Sequence, residues 1–438
     1  MYSIYYDPLL CEIADKKLGY NMSVEFKNDI YKHQSSVEQQ MITSLAYMDD
    51  TQWLAESKEN LEQILAIADG FYNFTDIQVN KLKSELLVKL HSNPGAIDYT
   101  STINLQFGNQ NIDIKPTPPS MSTRILGVWF NLNNSRTFVL NQCKQEIIEL
   151  SAMMKSKPIT DKHLLYIYNK LIIPRVEYRS QTVVLTEKEC NSLMTPFRIM
   201  FKHKLKWART IPNAVLDNQF LYQFRNLYEL NLQAKITNYI VQINDRSILG
   251  KFTNIRLRKL QQLMWIPDLP LLYPFSLDNF NKQKSLFSNF HFAMIVLCRQ
   301  NQFSFSPNNY DFSSSKSSFK TKGGNIPIES IITTNYYKHI KMLKKRGILF
   351  LEQITSLDGQ DLLKWRFIHM KTFVPNKIQY ASNNPAKWYS LVKTSTTHSP
   401  SSTLNTPYVS PPFDGYNGWL FPQPSVRNQK KEHIMVWI

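Results

Sequence analysis

The segment from residue 41 to residue 72 combines two hydrophobic patterns that leave few folds open to this chain. Residues 41–47 and 51–55 are mostly apolar and flank a short turn, residues 48–50, that contains two aspartates. Turns of this length close antiparallel hairpins, and aspartate suits them. After Ser57, a suitable helix N-cap, apolar residues recur at the spacing of an amphipathic helix: Leu61, Ile64, Leu65, Ala68, Phe71 and Tyr72. The segment therefore predicts a β-hairpin with a helix packed against its sheet.

The rest of the chain extends this unit and then changes character. Further strand-like segments occur at residues 84–90, 103–107, 112–114 and 124–130. Together with the hairpin and its helix, they predict an α+β unit with antiparallel strands over residues 1–130. Helical periodicity takes over from residue 140 and predicts four helices: 140–154, 161–171, 187–204 and 221–241. Residues 301–325, rich in Ser, Asn and Lys, predict a flexible linker. Residues 336–365 predict a small helical piece, and residues 394–424, rich in Ser, Thr and Pro, predict an irregular stretch.

The net charge of +17 favours a polyanionic partner, because Lys and Arg release counterions from phosphates. The densest basic run is mixed with the aromatic residues Phe201 and Trp207, and it contains Lys202, Lys204, Lys206 and Arg209. Such a mixture can hold a phosphate backbone and stack on bases. A solvated helix face with a few core rings is the alternative, and the sequence leaves both open.

The cysteine positions and the hydropathy of the chain argue against a zinc protein, a secreted protein and a membrane protein. The 4 cysteines are far apart and no Cys/His cluster has zinc-ligand spacing, so we expect no zinc. Acidic residues interrupt the apolar start, unlike a signal peptide. The longest strongly apolar run, residues 292–298, is too short to span a bilayer. We expect an intracellular protein, nuclear or cytoplasmic, that is not secreted and has no membrane partner.

Asp49 and Asp50 in the hairpin turn indicate one possible chemistry. Mg²⁺ is bound by one or two carboxylates together with substrate phosphates, and such ions support phosphoryl transfer. A bend is needed for both carboxylates to reach one site, because adjacent side chains on a continuous strand point to opposite faces. An ordinary turn that contains aspartate is the other interpretation.

Four segments, in this order, resemble parts of reverse transcriptases and in particular the polymerases of non-LTR retrotransposons. LAYMDDTQWLAES, residues 45–57, resembles motif C. NLEQILAIADGFYNFTDIQVNKLKSELL, residues 60–87, resembles the following helix and motif D, with Asn80, Lys83 and Ser84 at the matching positions. TRILGVWF, residues 123–130, is similar to motif E, the primer grip, and LIIPRVEYRSQ, residues 171–181, is similar to the start of the thumb. The resemblance covers residues 1–210 well and the helical remainder weakly.

The resemblance implies a fold and a domain order. We expect an α+β fold with a partial polymerase palm, an antiparallel sheet with packed helices, over residues 1–132. A mainly α-helical thumb and connection follows over residues 133–300, and a flexible linker over 301–330. Residues 331–438 would form a C-terminal extension, a small helical segment with an irregular Ser/Thr/Pro-rich tail.

The resemblance also implies roles for individual residues. Asp49 would bind Mg²⁺ or Mn²⁺, with Asp50 as its less critical neighbour. Tyr47 and Met48 would lie near the primer end and the incoming nucleotide. Lys83 would lie near the nucleotide phosphates, where a cation offsets charge on the leaving group. Leu126 and Gly127 would form the turn of the primer grip. The partners would be an RNA template and a DNA primer.

The sequence departs from the family in two respects. The motif A aspartate and the Gln-Gly segment of motif B are not found, and YSIYYDPLLCEI at the start resembles the sequence just after motif B. Without a carboxylate from a separate strand, Asp49 and Asp50 repel each other and bind metal poorly. We therefore expect a truncated fragment, derived from an RNA-directed DNA polymerase, that is inactive as a nucleotidyltransferase alone. The alternatives are a non-catalytic basic RNA- or DNA-binding protein that retains the thumb, and an unrelated metal-dependent hydrolase.

Overall fold

The computed structural model describes most of the chain: residues 2–30, 34–47, 50–80, 83–90, 97–133, 135–305, 319–356, 359–365, 368, 384–398, 401–406 and 433–437. The chain divides into two compact units. The first comprises Met1–Asn21, Met41–Val241 and Lys430–Ile438, and the second comprises Met22–Gln40 and Gln242–Gln429. The predicted division at residues 132, 300 and 330 stays a prediction.

The secondary structure mixes helices with small antiparallel sheets, as the α+β prediction requires at this coarse level. The strands are β1 Tyr20–Phe26, β2 Ser36–Ile42, β3 Ser44–Tyr47, β4 Asp50–Ala55, β5 Leu86–Leu90, β6 Ile103–Phe107, β7 Gln110–Ile114, β8 Ser122–Ile125, β9 Val128–Asn131 and β10 His433–Trp437. The helices of the N-terminal half are α1 Tyr2–Asp15, α2 Lys58–Thr75, α3 Arg136–Lys155, α4 Asp161–Ile167, α5 Ile173–Arg179, α6 Glu187–Lys204 and α7 Asn213–Asp217. Those that follow are α8 Leu227–Asn244, α9 Ile248–Met264, α10 Lys284–Phe287, α11 Phe290–Gln300, α12 Ile328–Ile331, α13 Ile340–Arg346 and α14 Lys387–Thr396.

The predicted hairpin is confirmed as β3 and β4, which pair antiparallel with Tyr47 opposite Asp50. Its predicted bounds differ, because Asp50 pairs as the first residue of β4 and is not in the turn, and residues 41–42 belong to β2. They belong to a four-stranded sheet in the order β3-β4-β10-β5. The strand β10, which none of the predicted strands covers, pairs antiparallel with both neighbours, so that Met435 lies opposite Ala55 on one side and Val88 on the other. A strand from the far end of the sequence therefore lies inside the sheet that carries the acidic turn.

The predicted amphipathic helix is confirmed as α2. Ser57 Oγ accepts a hydrogen bond from Asn60 N at 3.1 Å, which satisfies one of the free N–H groups of the first turn. The buried side of the helix consists of Leu61, Ile64, Leu65, Ala68 and Tyr72. These side chains share one hydrophobic core with Trp53 and Ala55 of β4 and Leu86 and Val88 of β5. The helix thus packs against the sheet and supports the strands on either side of β10.

The helices from α3 to α8 form a second core in the first unit. The helix α6 begins and ends at the predicted residues. Its N-terminus is a capping box, because Thr186 Oγ1 accepts from Glu189 N while a Glu189 carboxylate oxygen accepts from Thr186 N. The predicted helix over 161–171 is longer than expected: α4 continues through a π-helix, Tyr168–Ile172, into α5.

The second unit is mostly helical around small hydrophobic clusters. In one of them, the Arg258 guanidinium lies 3.5 Å from the ring centroid of Phe26 and 4.3 Å from that of Phe319. Its Nε lies 3.3 Å from a carboxylate oxygen of Glu38. The buried Arg258 guanidinium thus contacts two aromatic rings and the Glu38 carboxylate, and these contacts give it a structural role. Across both units, no helix that the structure describes is long and apolar enough to cross a membrane.

Candidate nucleic-acid interface

The acidic hairpin presents its tip to solvent. Tyr47, which ends β3, keeps 58% of its surface exposed, and Asp50, which begins β4, is also exposed. Their pairing leaves a two-residue connection between the strands, as in tight hairpins. Met48 and Asp49, the two residues of that connection, lie outside the described residues. Asp50 is thus accessible to an ion or a phosphate, and its predicted role stays a prediction.

The donor type at the tip fits the predicted Mg²⁺ or Mn²⁺, because a carboxylate is a hard oxygen ligand. Within the described ranges Asp50 supplies one such carboxylate at the tip, and Asp49 would supply the second. A divalent ion held there would supply electrostatic stabilisation of phosphate oxygens. Among the residues that the structure describes, no three His, Cys, Asp or Glu side chains lie together as a metal-ligand group.

Lys83 lies in the connection between α2 and β5 and is exposed. Its backbone N–H donates to Asn80 O at 3.1 Å, and Ser84 Oγ donates to the same carbonyl at 3.4 Å. Lys83 and Ser84 lead into β5, a strand of the same sheet as the acidic hairpin. The exposed Lys83 side chain is accessible to a phosphate, and its predicted role stays a prediction.

The segment predicted as the primer grip is a tight hairpin. The strands β8 and β9 pair up to Ile125 and Val128, and the two residues between them, Leu126 and Gly127, have φ of 47° and 81°. Positive φ at both central positions is the mark of a type I′ turn. The prediction that Leu126 and Gly127 form a turn is confirmed. A leucine in the left-handed region is strained, and Leu126 is also 40% exposed.

The turn of β8 and β9 is attached to α5 by a hydrogen bond. The Tyr178 hydroxyl donates to Leu126 O at 2.5 Å. A Cβ added at Gly127 would lie 3.2 Å from Cε1 of Tyr178 and 3.8 Å from a guanidinium nitrogen of Arg124. Glycine is therefore needed for this close approach as well as for the backbone conformation. The turn, the tyrosine and an exposed arginine meet at one place.

The helical rod of α4, the π-helix and α5 has one buried and one exposed side. Its buried side chains, each at most 3% exposed, belong to the second core: Leu164, Tyr168, Ile172, Ile173 and Val176. Five of its exposed residues recur at four-residue intervals, and we name them the basic–aromatic row: Lys162, Tyr166, Lys170, Pro174 and Tyr178. His163, Leu171 and Arg175 are also exposed, beside this row. In an α-helix of 3.6 residues per turn such a row drifts around the axis, and the wider π turn offsets part of that drift.

The exposed charges of this row are positive. Lys162 and Lys170 lie on it, Arg175 is exposed beside it, and the only acids of the rod, Asp161 and Glu177, are half-buried. Tyr166 and Tyr178 keep 62% and 46% of their surfaces exposed. Cations interleaved with aromatic rings suit a phosphate backbone and its bases. Sequence reasoning missed this row, although the four-residue recurrence of Lys, Tyr, Lys and Tyr between 162 and 178 would have revealed it.

Arg179 and Arg124 lie near the end of the row. Arg179 forms an ion pair with Glu146. Burial, and then the neighbouring Arg124, lower the pKa of the Arg179 guanidinium. Because Arg124 itself is exposed, the positive charge extends from α5 onto the β8–β9 hairpin.

The basic run at the end of α6 and in the loop after it divides into buried and exposed members. Lys202 is 5% exposed, and its ammonium donates to Ile211 O at 2.6 Å, to Asn213 Oδ1 at 2.8 Å and to Arg209 O at 3.4 Å. Lys204 is half-buried and donates to Lys157 O at 2.7 Å. The remaining two, Lys206 and Arg209, are exposed. A phosphate contact by Lys202 would require its loop to open.

The comparisons with known proteins add no family to these observations. No protein-family model matches the chain, and a search of curated proteins finds no match either. The resemblance to reverse transcriptases therefore rests on the four sequence motifs alone, and the function it implies is a proposal.

Proposed function

We propose that this chain is a nucleic-acid-binding protein of reverse-transcriptase type that holds an RNA template paired with a DNA primer. The observation that carries the proposal is the basic–aromatic row, which runs along one side of the α4–α5 rod and ends at the β8–β9 turn. The row supplies accessible cations and rings, and Tyr178 joins it to the hairpin that resembles a primer grip.

The dimensions of the row suit a nucleic-acid strand. Lys162 and Tyr178 are 16 residues apart, which corresponds to about 24 Å along a helix at 1.5 Å per residue. Phosphates of one strand of duplex DNA follow each other at about 3.4 Å along the axis, so the row spans several of them. The rings between the cations can contact sugars or unpaired bases, which every sequence offers. We therefore expect binding with little sequence preference and strong salt dependence.

Fluorescence anisotropy with a labelled RNA–DNA hybrid tests this proposal directly. The logarithm of the binding constant should fall with the logarithm of salt concentration, and Lys170→Met and Arg175→Met should each reduce that slope by about 1. Tyr166→Ala should weaken binding by about tenfold, the loss of one stacking contact. Lys188→Met is the matched control, because Lys188 is exposed on α6 between Glu187 and Glu189.

The proposal fails if the wild-type chain does not bind the hybrid at low salt. It also fails if the row variants and Lys188→Met bind equally well, because the cations of the row would then have no special part in binding.

We further propose that Asp49 and Asp50 are the remnant of a Mg²⁺ or Mn²⁺ site, and that the chain alone does not extend a primer. Two-metal nucleotidyl transfer needs a clamp on both the attacking and the leaving oxygen, and the sequence offers no motif A aspartate to join the turn pair. Primer extension with Mg²⁺ or Mn²⁺ should give no product. Incorporation that Asp49→Asn abolishes would refute this part of the proposal.

The second candidate is a non-catalytic binding protein that retains the thumb and whose acidic turn takes no part in binding, and one observation favours it. The row lies on α4 and α5, whereas Asp50 lies on β4, so the binding surface does not depend on the acidic turn. If Asp50→Asn leaves hybrid binding unchanged in the presence and absence of Mg²⁺, the second candidate is supported. If Mg²⁺ tightens wild-type binding and Asp50→Asn removes that effect, the turn takes part.

A further inference from the structure

The C-terminal end of α5 is held by two side chains of α8. Lys235 Nζ donates to Ser180 O at 2.8 Å and to Gln181 O at 2.5 Å. Asn231 Nδ2 donates to Ser180 Oγ at 3.1 Å. Asn231 and Lys235 are four residues apart and therefore lie on the same side of α8. Together they hold the first two residues that follow α5.

This contact is buried. Ser180, Asn231 and Lys235 are 0%, 2% and 5% exposed. The last carbonyl groups of a helix lack partners within the helix, and a cation at that end is favoured by the helix dipole. Burial lowers the pKa of Lys235 to about 8, and Glu177 offsets a part of that effect. Burying an ammonium group costs hydration free energy. We attribute its burial here to the two hydrogen bonds that it donates to the backbone after α5, which fix the position of that backbone.

The segment held in this way carries the end of the basic–aromatic row. Tyr178 precedes Ser180 by two residues and bonds to Leu126 O, and Arg175 lies one turn earlier on α5. A shift of the end of α5 would therefore move the exposed ring of Tyr178 and the β8–β9 turn together. Small displacements of a positioned group are known to weaken recognition strongly.

We propose that Lys235 is a positioning residue that, with Asn231, fixes the end of α5 so that Tyr178 and the β8–β9 turn form one nucleic-acid contact. The inference rests on the proposed function, since the row is the surface being positioned. Lys235 itself is buried and does not touch the ligand.

A double-mutant cycle with a labelled RNA–DNA hybrid distinguishes positioning from a general loss of structure. Lys235→Met should weaken hybrid binding by about tenfold, the size of one lost stacking contact. In the Tyr178→Ala background the same substitution should change binding by less than about twofold, because the group that it positions is gone. Additive effects in the two backgrounds would overturn the inference.

Hydrogen exchange of the free protein provides a readout that does not need nucleic acid. Lys235→Met and Asn231→Leu should each speed exchange over residues 176–182, while Lys188→Met should not. Unchanged exchange in both clamp variants would overturn the inference even if hybrid binding fell. If the wild type does not bind the hybrid, the proposed function fails, whereas faster exchange in these variants would still establish the clamp.

Discussion

Replacing Lys202 tests whether this residue is a structural or a nucleic-acid-binding lysine. Hydrogen bonds from a charged donor contribute about 1.5–3 kcal/mol each. The two shorter bonds of Lys202, to Ile211 O and Asn213 Oδ1, are within normal range, and the third, at 3.4 Å, is at its limit. Methionine retains the apolar stem and removes the cost of burying a charge, which returns a part of the loss. We expect Lys202→Met to lower the free energy of unfolding by about 3 kcal/mol.

Urea denaturation followed by tryptophan fluorescence measures this change, and hydrogen exchange over residues 205–213 localises it. Lys206→Met is the matched control, because Lys206 is exposed in the loop to which Lys202 bonds, and it should change stability by less than about 0.5 kcal/mol. The structural interpretation is refuted if Lys202→Met leaves stability and local exchange unchanged but weakens hybrid binding as strongly as Lys170→Met does.

Three further predictions follow from the strained turn, the buried lysine and the inserted strand. Leu126→Asn should raise the free energy of unfolding by about 1 kcal/mol, since asparagine tolerates the left-handed region and suits a type I′ turn before glycine, and a lower thermal midpoint would contradict this. Because the pKa of Lys235 falls from 10.5 to about 8 on folding, the unfolded state binds more protons between these pH values and stability should rise there by about 3 kcal/mol. Lys235→Met should remove that rise in urea titrations at several pH values, and an equal rise in both proteins would refute the assignment. Val436→Pro should destabilise by about 3 kcal/mol or more, because it removes an N–H from a strand paired on both sides, whereas Val436→Thr, which keeps the N–H, should cost far less in the same thermal assay.

The features that the sequence predicted well depend on neighbours in the chain. The apolar stripe of α2 and its Ser57 cap each involve residues three or four positions apart. The acidic hairpin and the Leu126–Gly127 turn are likewise local. Helix faces, caps and tight turns follow from short-range spacing, so the printed residues suffice to find them.

The rod of α4 and α5 shows how a local rule can fail. A proline such as Pro174 ordinarily ends a helix, because it lacks an N–H and its ring clashes with the carbonyl four residues earlier. In the structure Pro174 is at the start of α5, directly after the π-helix, whose hydrogen bonds span five residues instead of four. The altered turn accommodates the proline, and the exposed row continues past it.

Other features were not predictable because they depend on contacts between distant segments. Lys202 and Lys206 belong to the same basic run, yet one is buried and the other exposed. Nothing in the spacing of lysines distinguishes them, since the difference comes from the fold of residues 209–213 back onto α6. Lys235 reaches across more than 50 positions to α5. Such pairings are set by tertiary packing, which no single window of sequence contains.

The place of β10 within its sheet has a consequence for how this protein is made. Every other described element precedes β10 in the chain, so a ribosome finishes all of them before it supplies this strand. Until then, β4 and β5 expose facing rows of backbone groups that have no strand between them, and such open edges can capture other chains. We expect the nascent polypeptide to depend on chaperones longer than a protein whose sheet closes early in synthesis.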